Sequence, residues 1–343
     1  MTTEELRAHL ATIKYPGFSR DIASFGLIRL AEMVDDTADI HLQIQTKDPK
    51  IPQTIFQDIH ALLDPLLGGP EKVKVGIDVK DPPAQTGTDT GKESLPGVKH
   101  IIAVASGKGG VGKSTVSSNL AVALAQQGLK VGLCDCDLYG PSIAHMFGVS
   151  NHNLQADDQE NIIPIEAHGL KLMSMGFLLS DSSPVIVRGP LANRYTQQFL
   201  KQVAWGELDV LVLDLPPGTG DIQLTIVQSV ALTGAVIVTT PQEVALIDAR
   251  KAVTMFAKVN VPILGFIENM SWFECDAGKK YHLFGNGGGK REAERLQVPL
   301  LAQIPLEPLT CTHADQGKPR VINSTNTPFH EAASALVSNQ FST

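Results

Sequence analysis

Hydrophobic and polar positions follow two different patterns along the chain, and the pattern changes after about residue 80. Before that point, Ile40, Leu42 and Ile44 alternate with polar residues, which is typical of a strand with one buried face. A similar alternation starts at Val73, and apolar residues at helical spacing occur before and between the strand patterns. The order α-β-β-α-β predicts a small α+β domain over residues 1–80.

The second pattern begins after a stretch without periodicity. Residues 81–98 contain prolines, glycines and polar residues in no regular order, which predicts a linker. From residue 99 onward, short apolar runs alternate with helical patterns, and this alternation predicts a domain over 99–343. The predicted strands are 101–105, 130–134, 210–214, 235–239 and 263–268. Fully apolar strands separated by helices are typical of an α/β fold with a doubly wound, mostly parallel sheet.

The first strand of this domain runs into a glycine-rich loop, Ser106–Thr115, which a helical pattern follows. A strand, a loop of the form Gly-x4-Gly-Lys-Ser and a helix make a P-loop, whose backbone N–H groups bind nucleotide phosphates. We expect Lys113 to contact the β- and γ-phosphates and the Ser114 hydroxyl to bind Mg²⁺. The candidate nucleotide-binding residues are Gly107, Lys108, Gly109, Gly110, Val111, Gly112, Lys113, Ser114 and Thr115.

The same glycines also fit the fingerprint of a dinucleotide-binding loop, Gly-x-Gly-x-x-Gly. Asp135 and Asp137 even lie at about the distance downstream where such a site has its ribose contact. A dinucleotide site has no need for lysines at 108 and 113, however, and a further acidic strand end follows at Asp214. These features favour the P-loop.

Two acidic residues near strand ends are the candidates for the chemistry of the site. Ligands of open α/β sheets bind at the carboxyl ends of the strands, so Asp137 and Asp214 should lie beside the P-loop. Asp214 ends an apolar run, as in a Walker B element, and is expected in the Mg²⁺ shell. Asp137 follows its strand in a loop and is the candidate for positioning the attacking water, also near Mg²⁺. Helix capping or turn formation is the alternative for both.

Composition limits the remaining classes of protein. The chain has 343 residues, 43% of them hydrophobic, and a net charge of −8, which argues against broad nucleic-acid binding. No apolar run approaches the roughly 18 residues of a membrane span, and the N-terminus lacks a signal-peptide pattern. Four scattered cysteines do not make a disulfide framework. We therefore expect a cytoplasmic protein that binds neither nucleic acid nor membrane.

Lys108 follows the first glycine of the loop, where a phosphate of the same subunit does not need it. With this lysine the loop resembles the deviant Walker A group of P-loop ATPases, which includes MinD, ParA and the nitrogenase iron protein. The resemblance implies a nucleotide-sandwiched homodimer in which Lys108 contacts the partner's phosphates, as an arginine finger supplied in trans would. Lys108, Lys113 and Asp137 are accordingly the candidate catalytic residues of an ATPase.

Within that group the chain resembles the Mrp/ApbC branch over about residues 100–320. The matching segments are Lys108–Thr115, Asp137–Ser142, Arg188–Pro190, Asp214–Asp221, Thr240–Gln242, Glu268–Ser271 and Phe284–Gly288. This resemblance implies an ATP-dependent carrier that takes iron–sulfur clusters from an assembly scaffold and transfers them to apoproteins. It also implies that Asn269 and Pro305 flank the adenine. Turnover should be slow, because a carrier uses ATP as a conformational gate.

The first domain resembles a small domain that is often fused ahead of Mrp proteins and that also occurs alone in cluster-assembly factors. Residues 15–22 carry this weaker resemblance. That domain often has a cysteine before a proline near the end of its second strand, whereas this chain has Ile51–Pro52.

A second departure concerns the cluster ligands. Many Mrp proteins have Cys-x-x-Cys after the Glu-Asn-Met-Ser element, and two copies supply four thiolates to a bridging [4Fe–4S] cluster. Here the segment is Cys275-Asp276-Ala277-Gly278, so Cys275 is the one candidate iron–sulfur ligand there. We expect Cys134 and Cys136 to be buried thiols and Cys311 to have no role as a ligand.

Two alternative functions therefore stay open. One is an ATP-dependent assembly factor or metallochaperone that holds no cluster, which Gly278 favours. The other is a MinD- or ParA-like positioning ATPase, but the tail at 328–337 contains no lysine or arginine for a membrane helix.

Overall fold

The computed structural model describes residues 1–14, 16, 21–23, 27–45, 50–80, 94–177 and 200–341. The chain divides into two compact units, Met1–Asp89 and Thr90–Thr343. Most of the predicted linker, the Arg188–Pro190 motif and most of the segment 15–22 lie outside the described residues.

A three-stranded sheet with two helices forms the N-terminal unit. Its elements are α1 (Thr3–Leu10), β1 (Ile28–Val34), β2 (Thr37–Gln45), α2 (Lys50–Leu67) and β3 (Val73–Lys80). β2 lies in the middle, antiparallel to β1 and parallel to β3. The predicted element order α-β-β-α-β is confirmed.

Side chains from both helices and one face of the sheet fill the core of this unit. Leu6 of α1 and Ile59 of α2 are fully buried, as is Ile40 in the middle strand. The hairpin between β1 and β2 turns at Asp35 and Asp36, both with positive φ, a backbone conformation that aspartate tolerates better than most residues.

An eight-stranded sheet with helices on both faces forms the second unit. The strands of the large sheet are β4 (Val98–Ala105), β5 (Val131–Asp135), β8 (Ile165–Ala167), β9 (Leu170–Ser174), β10 (Leu208–Asp214), β11 (Gly234–Thr239), β12 (Ile263–Glu268) and β15 (Leu300–Gln303). Two separate two-stranded sheets consist of β6 (Gln155–Ala156) with β7 (Ile162–Ile163) and of β13 (Phe273–Glu274) with β14 (Lys280–Tyr281). The described helices are α3 (Lys113–Gln126), α4 (Ile143–Met146), α5 (Asp221–Ser229), α6 (Glu243–Lys258), α7 (Gly288–Leu296), α8 (Pro308–Asp315) and α9 (Pro328–Leu336).

The order of strands in the large sheet is β15-β12-β11-β4-β10-β5-β9-β8. Neighbouring strands are parallel except for β8, which is antiparallel to β9. After β4 the chain first places β5, β8 and β9 on one side and returns with β10 beside β4, and then places β11, β12 and β15 on the other side. The doubly wound α/β fold expected from the sequence is thereby confirmed. β4 lies at the centre, and its carboxyl end leads into the P-loop.

Burial on both faces explains why the central strands are apolar without alternation. In β4, Ile102 and Val104 pack with Leu120 of α3 on one face. Ile101 and Ala103 pack with Phe256 of α6 on the other face. Each residue of such a strand therefore faces a hydrophobic layer, as in other parallel sheets.

Three strands of the large sheet were not among those predicted, namely β8, β9 and β15. They have three to five residues each, and each contains a charged or polar residue. Such short segments have too little hydrophobic pattern to be recognised.

The C-terminal segment packs as α9 against the large sheet's core. Phe329, Ala332, Ala333 and Leu336 are buried there, so the apolar side of this helix is used within the unit. Among the described residues, no helix has the length and apolar character needed to cross a membrane.

Candidate functional site

The P-loop lies between the end of β4 and the start of α3. Gly112 caps α3 with a φ of 79°, a left-handed conformation that favours glycine. A side chain at Gly107 would collide with the backbone of Asp248, and one at Gly112 would collide with the side-chain amide of Asn269. Helix α3 begins at Lys113, within the predicted loop Ser106–Thr115, so Lys113 and Ser114 belong to its first turn.

A buried cluster of charged and hydroxyl groups lies directly behind the loop. Lys113 Nζ is 2.6 Å from Asp214 Oδ1, and Ser114 Oγ donates a 2.6 Å hydrogen bond to Asp214 Oδ2. Ser117, one helical turn further, donates a 2.7 Å hydrogen bond to Asp214 Oδ1. The structure thus brings together the Walker lysine, the predicted Mg²⁺ hydroxyl and the Walker B carboxylate. Ser117 was not predicted, because the P-loop pattern ends before it.

Asp135 is a second buried carboxylate that the site prediction missed. It ends β5 and lies beside Asp214 in the strand register. Its carboxylate accepts hydrogen bonds from the backbone N–H groups of Ser142 and Ile143 and from the hydroxyl of Ser174. Burial in the first place, and the Asp214 carboxylate in the second, raise the pKa of Asp135 to about 7. The one available signal was its position at the end of an apolar strand, which it shares with Asp214.

Asp137 lies two residues beyond the end of β5 and is partly exposed. Its Oδ1 accepts hydrogen bonds from the backbone N–H groups of Tyr139 (3.1 Å) and Gly140 (3.2 Å), which closes a tight turn. The turn-forming alternative is therefore present in the structure, and Oδ2 is left for a further partner. The role of Asp137 in positioning water stays a prediction.

Lys108 is also partly exposed, on the loop itself. Its carbonyl oxygen accepts a 2.9 Å hydrogen bond from Ser106 Oγ, and this bond holds the backbone of the loop in place. Within the described part of the chain its ammonium group has no ion-pair partner, whereas that of Lys113 is buried against Asp214. The two lysines of the loop thus differ in their surroundings, and contact of Lys108 with a partner subunit stays a prediction.

The two residues predicted to flank adenine lie at the ends of neighbouring strands. Asn269 follows β12, is buried, and donates a 2.9 Å hydrogen bond from Nδ2 to the carbonyl oxygen of Val111 in the P-loop. Pro305 lies two residues after β15, and the carbonyl oxygen of Ile304 beside it accepts a 2.9 Å hydrogen bond from Ser271 N, two residues after Asn269. The structure therefore places both residues on the β12 side of the P-loop, and their contact with adenine stays a prediction.

Cys275 lies at the turn of a short hairpin made by β13 and β14. Its carbonyl accepts a 2.8 Å hydrogen bond from Gly278 N, and Gly278 has a φ of 73°. The thiol of Cys275 is partly exposed. In the described ranges no group of three or more histidine, cysteine and acidic residues could hold a metal ion.

The other cysteines agree with their predicted environments. Cys134 and Cys136 are fully buried with their sulfur atoms 3.8 Å apart, and burial raises the pKa of the Cys134 thiol well above its ordinary value. A buried thiol with a raised pKa is a poor nucleophile and a poor metal ligand. Cys311 is exposed on α8.

These features together define a P-loop nucleotide hydrolase: a glycine loop at a helix N-terminus, a buried lysine and a Walker B carboxylate at the carboxyl edge of a parallel sheet. The family model described as ParA, NUBPL iron-transfer P-loop NTPase, matches residues 97–340. The chain belongs to this family. The ATPase class and the family resemblance seen in the sequence are thereby confirmed.

Relatives and solved structures agree with this assignment. The chain is 46% identical to the iron–sulfur cluster carrier protein of Deinococcus radiodurans, over 92% of this chain and 88% of that protein. It is 41% identical to the iron–sulfur cluster carrier protein of Synechocystis, over 98% and 96%. A nucleotide-binding protein of Archaeoglobus fulgidus, solved with ADP and with cobalt, is 40% identical with a TM-score of 0.62, over 70% of this chain and 94% of that one. The cell-division ATPase MinD of Pyrococcus furiosus shares the fold, at 23% identity over 70% and 98% of the two chains and a TM-score of 0.53.

Proposed function

We propose that this protein is an ATP-dependent carrier that binds iron–sulfur clusters and transfers them to apoproteins. The observation that carries the proposal is the position of Cys275. A partly exposed thiol lies on a hairpin that follows β12, and the residue after β12 bonds to the P-loop. The names of two relatives that match nearly the whole chain support the same function.

The ATP half of the function rests on the P-loop and the cluster behind it. Backbone N–H groups of residues 107–115 would surround the phosphates. The ammonium group of Lys113 would leave the Asp214 carboxylate and contact a phosphate oxygen instead. Ser114 Oγ and Asp214 Oδ2, 2.6 Å apart, are hard oxygen donors of the kind that Mg²⁺ prefers, so these residues fit an Mg²⁺ ion. Bound Mg²⁺ would neutralise charge on the phosphates. Asp137, with Oδ2 left for a further partner, would orient the attacking water and complete the Mg²⁺ shell.

The cluster half requires more than one chain. One Cys275 supplies one thiolate, and a [4Fe–4S] cluster usually has four protein ligands. A homodimer that sandwiches two nucleotides would place Lys108 on the partner's phosphates and would supply two Cys275 thiolates. Exogenous thiols or other groups would complete the ligand set, so the bound cluster should be labile, which suits transfer from an assembly scaffold to apoproteins. The cytoplasmic location stays a prediction.

Anaerobic reconstitution tests this function. Full-length protein is incubated with iron and sulfide, and bound iron, bound sulfide and visible charge-transfer absorption are measured for the parental protein and Cys275→Ser. The matched control is Cys311→Ser, which removes an exposed thiol far along the sequence from the hairpin. We expect Cys275→Ser to lose the absorption and Cys311→Ser to keep it. Equal iron and sulfide in Cys275→Ser and the parental protein would exclude Cys275 as a ligand.

A second function has its own observation in its favour. Gly278 stands where many Mrp proteins have the second cysteine, and this favours an ATP-dependent assembly factor or metallochaperone that holds no cluster. If the reconstituted parental protein retains no sulfide but still hydrolyses ATP, this alternative replaces the carrier.

A further inference from the structure

The segment from Glu268 to Trp272 joins the P-loop to the hairpin that holds Cys275. It begins at the last residue of β12 and ends one residue before β13. Cys275 is thus six residues from Asn269, and the two-residue strand β13 lies between them. A connection this short transmits a movement at one end to the other if both ends are anchored.

The P-loop end of the segment is anchored by direct contact. Asn269 Nδ2 donates to the carbonyl oxygen of Val111 at 2.9 Å, and its side-chain amide occupies the space beside Gly112 where a Cβ would lie. The Met270 methyl group lies beside Gly112 as well. A change in the backbone of the loop at Val111 and Gly112 must therefore displace Asn269 or Met270.

Between the two ends, Met270 has a φ of 55°. A non-glycine residue in this left-handed region is uncommon and persists where its surroundings hold it there. On one side of it Glu268 is fully buried, and its carboxylate accepts hydrogen bonds from Gly289 N and Gln303 Nε2. On the other side Ser271 N donates to Ile304 O. Met270 therefore lies in a constrained backbone conformation between two anchored residues.

The hairpin end is anchored by His282. Its Nδ1 lies 3.0 Å from the carbonyl oxygen of Ser271. Because a carbonyl oxygen only accepts, Nδ1 carries the proton and donates. His282 directly follows β14, so this bond ties the second strand of the hairpin to the segment that leads into its first strand. Leu306 N adds a 2.7 Å hydrogen bond to Trp272 O.

We propose that His282 is a positioning residue that couples the nucleotide-dependent conformation of the P-loop to the exposure of Cys275, through Asn269, Met270 and Ser271. This inference rests on the proposed function for the meaning of Cys275 as the cargo ligand. The coupling itself requires only that nucleotide binds at the P-loop.

Thiol alkylation tests the coupling. The full chain carries Cys311→Ser, so that Cys275 is the accessible thiol among the described cysteines. The rate at which a maleimide alkylates Cys275 is measured with and without Mg²⁺ and a non-hydrolysable ATP analogue. Calorimetry measures the affinity of the protein for the analogue. We expect the analogue to change the rate by about fivefold or more, the usual lower limit of allosteric coupling.

Two histidine variants separate coupling from general damage. In His282→Ala the analogue should change the alkylation rate of Cys275 by less than about twofold, because the bond to Ser271 is lost. The affinity of this variant for the analogue should be unchanged. His168→Ala is the matched control: His168 Nε2 makes a 3.1 Å bond to the carbonyl oxygen of Gly317 elsewhere in the same unit. This control should keep the full effect. His282→Gln, whose amide can donate to the same carbonyl, should restore part of it.

Met270→Gly gives an independent measurement if His282→Ala does not fold. Glycine adopts the same φ without restraint, so the effect of the analogue should fall here too. The coupling is overturned if His282→Ala and Met270→Gly keep the effect, or if the parental protein binds the analogue without any change at Cys275. A failure of the carrier function gives a different result. Cys275→Ser would then retain its iron and sulfide, while the alkylation rate of Cys275 in the Cys311→Ser protein still responds to the analogue.

Discussion

Lys113 and Asp214 form a buried ion pair across 101 positions of sequence, with 2.6 Å between Nζ and Oδ1. Both charges are removed from solvent, with 6% and 0% of the side chains exposed. Such a pair holds the Walker lysine against the end of β10, and two serine hydroxyls complete the shell of the carboxylate. The lysine is thereby kept ordered at the base of the loop.

Lys113→Ala should lower ATP affinity and stability together. Loss of a charge-assisted phosphate contact, worth about 1.5–3 kcal/mol, weakens binding by more than about tenfold. The unpaired Asp214 destabilises the fold by about 3 kcal/mol, the lower end of the usual range for a broken buried pair, because Ser114 and Ser117 still donate to it. Calorimetry and urea unfolding measure the two effects.

The double variant Lys113→Ala/Asp214→Asn is the control for this prediction. Removing the unpaired charge should return most of the stability but none of the ATP affinity. Parental affinity in a folded Lys113→Ala protein would contradict the P-loop assignment.

The sequence allowed the P-loop and the Walker B carboxylate to be predicted because each combines a fixed spacing with a strongly apolar strand. Asp137 was preferred for the predicted site because it lies in the loop beyond the strand, and the order along the chain does not tell which of the two aspartates lies beside Asp214. The register of β5 against β10 decides this, and it places Asp135 beside Asp214. Register comes from packing between distant segments, which a local pattern does not contain. The contact between Asn269 and Val111 depends in the same way on two strand ends that meet only in the fold.

Lys108→Ala should leave ATP binding largely intact and lower the rate of hydrolysis. Its ammonium group has no ion-pair partner within the described ranges, so its removal costs the fold little. A lysine acting in trans on developing phosphate charge should contribute about 10²-fold or more to turnover. The measurement is the ATPase rate over a range of protein concentrations.

The control is Lys258→Ala, which removes an exposed lysine at the end of α6 and should hydrolyse ATP at the parental rate. Parental turnover in Lys108→Ala would exclude the trans contact.

The second unit should fold and bind ATP without the first, if the fragment begins early enough. The sequence predicts that this domain begins at residue 99, but Leu95 is buried in the core of the second unit and its carbonyl accepts a 3.1 Å hydrogen bond from Val98 N. A fragment of residues 94–343 should therefore bind ATP with parental affinity. A fragment of residues 97–343 should lose about 1.5–3 kcal/mol of stability, the value of one buried leucine. Urea unfolding and calorimetry of both fragments check this, and a fragment 94–343 that folds but does not bind nucleotide would show that the first unit is needed for the site.

Gly278→Cys should increase the amount and lifetime of bound cluster. The substitution creates Cys-x-x-Cys at the hairpin turn, so a homodimer would supply four thiolates instead of two. It also places a side chain at a φ of 73°, which costs about 1–2 kcal/mol of stability. Among the described residues, and apart from the chain neighbours, no atom lies within 4 Å of the added Cβ, so the cost comes from the backbone conformation. Gly278→Ala has the same backbone cost and no thiol, and it is the control. After reconstitution, iron release to a chelator should be slower in Gly278→Cys than in the parental protein and unchanged in Gly278→Ala. Equal rates of iron release from all three proteins would show that this turn does not face the cluster. Neither Cys275 nor the new cysteine would then be a cluster ligand.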